Sequence, residues 1–158
     1  MSRPGRLVLV PAPLDFGCDV QAPATDVLPL GTLEAAASIV HWVCENAKSA
    51  RAVLKRIGEQ RPLAVPLQQM QITELPREVH KKGDHAPGFD ARPLLAAALQ
   101  GHDVGLLSEA GMPAVADPGA SVVRAAHALG IEVLPLVGPS SLLLALAASG
   151  LNGQNFAF

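Results

Sequence analysis

Strand-length apolar runs alternate with helix-patterned stretches along these 158 residues, and that alternation limits the chain to a small set of layered folds. The first run, LVLVPAP at Leu7–Pro13, is β-branched and cut off by prolines, the pattern of a strand buried on both faces that ends in a loop. Thr32–Ile39 follows Gly31 with good helix formers, and VHWVCE at Val40–Glu45 carries the bulky residues of a second strand. Over Lys48–Ile57 the spacing of Ala50, Val53, Leu54 and Ile57 predicts a helix with one apolar face, leaving Lys48, Arg51, Lys55 and Arg56 elsewhere on its surface. A third strand is expected within Val65–Ile72, its limits blurred by Pro62, Pro66 and Pro76. His80–Gly88 mixes charge with glycine and proline, has no periodicity and reads as a loop. Pro93 opens a helix over Leu94–Gln100, closed by Gly101, and Asp103–Ser108 is a fourth strand. Pro118–Leu129 reads as a helix ended by Gly130, Ile131–Val137 as a fifth strand, and Ser140–Ser149 as a helix so uniformly apolar that it should be buried on most faces.

This rhythm predicts an α/β fold, a mostly parallel sheet flanked by helices, and such sheets bind ligands beyond the carboxyl ends of their strands. The loops after Val10, Ser108 and Val137 are therefore the places to look for chemistry. A hydrophobic content of 49% suits one domain with a sizeable core. Only 16% of residues are charged, against about 25% in an average domain, so part of the surface is expected to be apolar and to await a partner or a continuation of the chain. The net charge of -2 excludes a general attraction to nucleic acid, which would need local patches. Cys18 and Cys44 have no CxxC spacing, which argues against a metal site and a disulfide and fits a reducing, cytoplasmic setting. The apolar run after Arg3 and Arg6 breaks at Pro11, far too short for a signal segment or a membrane span.

Two loops stand out. SEAGMPAVADPG at Ser108–Gly119 packs small residues, prolines and glycines between a strand and a helix, so its backbone can approach a ligand closely. VGPSSLLLALAASG at Val137–Gly150 sets Gly138, Pro139 and Ser140 just ahead of a helix, where N–H groups and the dipole favour an anionic group and Ser140 or Ser141 can cap. Neither loop matches the GxGxxG or GxxxxGK[ST] phosphate motifs.

The order VPAP, SEAGMPAVADPG, then GPSSLLLALAASG resembles the tetrapyrrole methylase superfamily, and within it the branch that methylates ribosomal RNA of the small subunit, over Leu7 to Phe158. That resemblance implies two α/β domains with S-adenosyl-L-methionine in the cleft between them. This chain would be the N-terminal domain, ending at Phe158 with the C-terminal domain absent and methyl transfer by the isolated half not expected. Matching positions place Gly111, Met112, Pro113 and Val115 where the first-domain loop meets the donor, Ser140 and Ser141 at a second contact, and Leu14 on the first-strand loop. Met112, where other members carry an acidic residue, implies recognition through backbone groups. The resemblance further implies an RNA substrate, ribose 2'-O-methylation and pairing as a homodimer. One departure is large: the branch has Glu-Asp-Thr-Arg after the second strand, and here stand Glu45, Asn46, Ala47 and Lys48.

A sulfonium methyl group is already activated, so such an enzyme mainly aligns donor and acceptor, and needs a base only for a poor nucleophile. Glu45, Glu109 and Asp117 are the candidate proton acceptors, Asp117 reading equally as a helix cap ahead of Pro118. His80, Lys81, Lys82 and His85 read as RNA contacts or as a solvated connection, and Arg51, Lys55 and Arg56 as a modest basic face of the kind usually left to solvent. His41, His102 and His127 lack ligand-like spacing, and Trp42 belongs in the core. Two other function classes remain open at this level, a methyltransferase with a small-molecule acceptor and a non-catalytic docking or dimerisation domain.

Overall fold

The computed structural model describes residues 3–82, 89–116 and 118–157. Five parallel strands form one sheet: β1 (Leu7–Val10), β2 (His41–Cys44), β3 (Gln71–Glu74), β4 (Val104–Leu107) and β5 (Val133–Pro135), in the order β3-β2-β4-β1-β5. Alternate side chains of each strand point to opposite faces. Val8, Val10, Trp42, Cys44 and Leu107 enter one core, and Leu7, Val43, Val104 and Leu106 the other. Sequence reading gave apolar strands without strict alternation, and the two-sided burial is why.

The first core is closed by α1 (Leu30–Ala37) and α2 (Ala47–Gln60), the second by a 3-10 turn at Arg92–Leu95 running into α4 (Ala96–Leu99) and by α5 (Ala120–Ala128). The four residues expected to form the apolar face of α2, Ala50, Val53, Leu54 and Ile57, are its buried residues. Asn46 caps that helix, its side chain accepting the N–H groups of Lys48 and Ser49 at 2.9 and 3.1 Å. Trp42 lies across the neighbouring strand position Gly105, where an added Cβ would stand 2.5 Å from its ring atoms. The indole N–H donates to the Ile39 carbonyl, so the ring fills the layer with its polar atom satisfied.

Several boundaries differ from expectation. The third strand lies at Gln71–Glu74, after a 3-10 turn at Leu67–Gln69, because Leu63, Val65 and Leu67 pack onto the first core instead of entering the sheet. His80–Lys82 close a helix, α3 (Arg77–Lys82), while residues 83–88 of the expected loop lie outside the described residues. The helix read from Pro118 starts at Ala120 with Gly119 as its N-cap, and Asp117, read as a possible cap, lies outside the described residues. The helix expected to be buried on most faces, α6 (Ser141–Ala148), buries none of its residues, and Leu143 and Leu144 are each 58% exposed. It comes after the edge strand β5, so only Leu142 and Leu146 find partial cover.

Two ion pairs hold the chain's long connections. Arg6 and Asp103 join the starts of β1 and β4, Asp103 accepting both the Arg6 backbone N–H and its guanidinium at 2.7 Å. On the opposite side, Arg56 of α2 grips Asp15 through two hydrogen bonds of 2.8 and 2.9 Å and also donates to the Ala22 carbonyl. Arg56 thus anchors the loop after β1 and is not part of a solvated basic face.

Gly105→Ala should cost about 1–3 kcal/mol by overpacking against Trp42, read as a lower urea midpoint with an unchanged denaturant slope. The Arg56 guanidinium holds the Asp15 carboxyl below its usual range, and Arg6 does the same to Asp103. Both groups bind protons more weakly folded than unfolded, so their contribution is complete above the ordinary carboxylate range and is lost as pH falls through the folded values. Arg56→Gln should therefore shrink the acid-induced fall in stability between neutral pH and the acid limb, measured by chemical denaturation at a series of pH values.

Candidate functional site

From β1 the chain crosses over β4 to reach β2, whereas from β4 it crosses over β1 to reach β5, so the loops leaving these adjacent strands diverge. With crossovers of one hand, the helices after these strands lie on opposite faces and a crevice opens between the two loops at the carboxyl edge. Ala12 and Gly111 bridge that crevice at its root, exchanging N–H to carbonyl hydrogen bonds of 2.9 and 3.0 Å. Gly111 has φ +69°, and a Cβ there would stand 3.2 Å from Leu14 Cδ2 and 3.5 Å from the Pro139 carbonyl. The third loop closes in through Gly138, where an added Cβ would collide with the Pro11 ring. Thr32, buried in α1, donates from Oγ1 to the Val137 carbonyl at 2.7 Å and fixes the same loop from beneath.

The loops after β1, β4 and β5 thus meet at one point, and beside it lies a cleft of about 220 Å³. Gly111, Met112 and Val115 line one side of it, and Ser140, Ser141 and Leu142 the other. A complete small-molecule site usually encloses about 300–1,000 Å³, so these walls make part of a site. Its lining is backbone, small side chains and two hydroxyls, which suits recognition by N–H and C=O groups. Ala114 and Ala116 flank Val115 in the left-handed region, at φ +63° and +59°. That conformation costs an L-residue roughly 1–2 kcal/mol, and here it turns the exposed Val115 out of the loop. Ser140 occupies the N-cap position of α6, but its side chain accepts no N–H of the helix.

Of the residues singled out in the sequence, Gly111, Met112, Val115, Ser140 and Ser141 come together as walls of this cleft. Pro113 is buried beneath the loop, and Leu14 packs on Gly111 as a support. Asp117 lies outside the described residues. Glu45 stands at the carboxyl end of β2, its Oε2 accepting the backbone N–H of Glu109 at 3.2 Å. Ser49 donates from Oγ to Glu109 Oε1 at 2.7 Å, so Glu45, Ser49 and Glu109 join the start of α2 to the loop after β4. The sequence pattern reads Ser49 only as the start of a surface helix and does not point to Thr32 or to the Asp15–Arg56 pair. The last spans 41 residues and has no local signature, whereas Ser49, in the first helical turn after Glu45, was within reach of a positional argument. Cys44, beside Glu45, is no nucleophile: burial, with Glu74 adding to it, pushes its thiol up to about 12.

Among the described residues, no group of three or more histidine, cysteine or carboxylate side chains is placed to hold a metal ion, and no helix is long and apolar enough to cross a membrane.

The sequence pattern of the Tetrapyrrole (Corrin/Porphyrin) Methylases matches residues 29–157. A protein of Xylella fastidiosa (strain Temecula1) named Ribosomal RNA small subunit methyltransferase I is 32% identical over 160 aligned residues, covering 100% of this chain and 49% of that protein. Proteins of the same name from Mesorhizobium japonicum and Escherichia coli O157:H7 are 37% and 30% identical, covering 96% and 98% of this chain and 44% and 46% of their own lengths. The chain spans about half the length of the curated relatives it matches. With an all-parallel α/β sheet whose glycine loops converge at the switch point, and a family pattern that runs through both of the cleft's walls, the chain belongs to the tetrapyrrole (corrin/porphyrin) methylase family.

Proposed function

We propose that this chain forms the first-domain wall of the donor site in an S-adenosyl-L-methionine-dependent methyltransferase acting on ribosomal RNA, with a ribose 2'-hydroxyl as acceptor. The observation that carries the reading is the meeting of three loops around one backbone-lined cleft at the carboxyl edge. Its chemistry fits the donor. Gly111 lets the backbone come close, Ser140 and Ser141 offer hydroxyls, and the N-terminal turn of α6 offers N–H groups to a carboxylate. Bound there, the donor supplies a methyl group on sulfonium sulfur, an electrophile that needs alignment more than activation. Met112 and Val115 give that alignment an apolar floor. The low volume of the cleft and the uncovered apolar side of α6 support a second domain as the opposite wall.

A ribose hydroxyl is a poor nucleophile, and in this reading Glu45 takes its proton. Its carboxylate is oriented by the Glu109 N–H, on the loop that also carries Gly111. Asp117 keeps the same expected role from its place in the sequence. The name borne by the relatives favours RNA over a small tetrapyrrole acceptor. The same reading places the protein in the cytoplasm, in line with its free cysteines, and pairs it as a homodimer through apolar surface of the kind exposed here.

Calorimetric titration of S-adenosyl-L-methionine and S-adenosyl-L-homocysteine into this chain, and into a chain carrying the second domain, tests the reading. Saturable binding by the longer chain is expected, weakened about tenfold or more by Gly111→Ala, which sets a Cβ against Leu14 at positive φ, and less by Ser140→Ala. Absence of binding by both chains would overturn the donor site.

A further inference from the structure

We infer that Arg56 and Asp15 are a positioning pair for the donor cleft: their ion pair fixes the loop after β1 so that Leu14 backs Gly111, and its loss loosens the cleft's Gly111 wall. The inference rests on the methyltransferase reading for what the cleft holds, but not for the coupling between the pair and the wall. Neither residue lines the cleft, and Arg56 borders a separate hollow with Gln21 and Ala22. Any effect of the pair on a bound donor therefore passes through the loop.

Residues 16–23 are all exposed, and the next buried side chain is Ala24. Apolar packing does not hold this stretch, so polar contacts must, and they converge on Asp15. Its carbonyl accepts the Cys18 N–H at 3.1 Å and the Gln21 side-chain amide at 3.2 Å, and its Oδ2 accepts the Ala22 N–H at 3.2 Å. Arg56 donates to both Asp15 carboxylate oxygens and closes the ring on the Ala22 carbonyl. The two side chains are only 14% and 23% exposed, so this fork holds more firmly than an ion pair in open solvent. On the other side of Leu14, Ala12 is fixed by its bridge to Gly111, and the rings of Pro11 and Pro13 lock their own φ angles. Leu14 thus stands between two anchors, with its Cδ2 3.2 Å from where a Cβ on Gly111 would be. Release of Asp15 frees one anchor and leaves Leu14 able to swing off the glycine. Arg6 and Asp103 make a comparable two-pronged pair between the same two strands, but at their opposite ends, away from the cleft.

The test is amide hydrogen exchange at Ala12 and Gly111, read relative to Val8 and Leu106 in the middle of β1 and β4, which report opening of the whole sheet. Arg56→Gln should raise that relative rate about tenfold or more, and Asp15→Asn, which removes the charge from the other side, should do the same. Arg56→Lys keeps the charge but not the fork, and should recover part of the protection. Arg6→Gln should leave the relative rate at the parent value. In a chain carrying the second domain, calorimetry with S-adenosyl-L-homocysteine should show binding weakened about tenfold by Arg56→Gln, as expected of a displaced site wall, and unchanged by Arg6→Gln. An unchanged relative rate in both Arg56→Gln and Asp15→Asn would overturn the inference, as would an equal rise in Arg6→Gln. A raised rate with donor affinity equal to the parent's would also overturn it, since the wall would then move without consequence. If the parent binds no donor while the relative rate rises as expected, the methyltransferase reading falls and the pair's hold on the cleft wall stands.

Discussion

Two backbone hydrogen bonds between Ala12 and Gly111 hold the loops of β1 and β4 together at the point where the sheet's connections part to opposite faces. Everything proposed for the site depends on that bridge. It requires Gly111 at positive φ, and it sets Leu14 and the Pro139 carbonyl around the same glycine. Gly138 then fits onto Pro11 because it has no side chain, and Thr32 holds the carbonyl of the preceding residue. The cleft is thus positioned by backbone contacts and van der Waals fit, with little contribution from charge. A methyl donor whose reacting group is already electrophilic asks for that kind of rigid placement.

The composition of the chain has a structural counterpart. A charged content of 16% implies apolar surface, and it appears in one place above all, on α6, where helix residues that would belong in a core are exposed. The helix also provides Ser141 and Leu142 to the cleft. Its uncovered side and the small cleft are therefore adjoining parts of one surface. Periodicity could not reveal this, since an apolar helix carries the same residues whether its cover lies within the chain or outside it.

The segment after β2 changes meaning once its contacts are known. Glu45, Asn46, Ala47 and Lys48 differ from the Glu-Asp-Thr-Arg of the branch they resemble, yet Asn46 caps α2 through its side-chain oxygen as an aspartate can, and Lys48 keeps a cation at the fourth place. The chemical departure is smaller than the change of letters. The polar residues of α2 are then sorted by neighbours far away in sequence: Arg56 turns inward to Asp15, Ser49 reaches Glu109, and Lys48, Arg51 and Lys55 stay exposed. A helical wheel puts all of them off the apolar face and says no more.

By itself the sequence determined the fold class, five strands, the buried face of α2 and the loops that matter, because burial on both faces of a parallel strand and the period of a helix are local patterns. The residues expected at the cleft were legible for a similar reason: glycine, proline and small side chains between a strand and a helix are conformational requirements written at the positions that need them. Strand order, the bridge between Ala12 and Gly111, the seating of Gly138 on Pro11 and the partners of Arg56, Ser49 and Glu45 were decided only by the tertiary structure. Each of these joins residues tens of positions apart through a hydrogen bond or a fit of surfaces, and such energies exist only after the sheet has brought the loops to one edge.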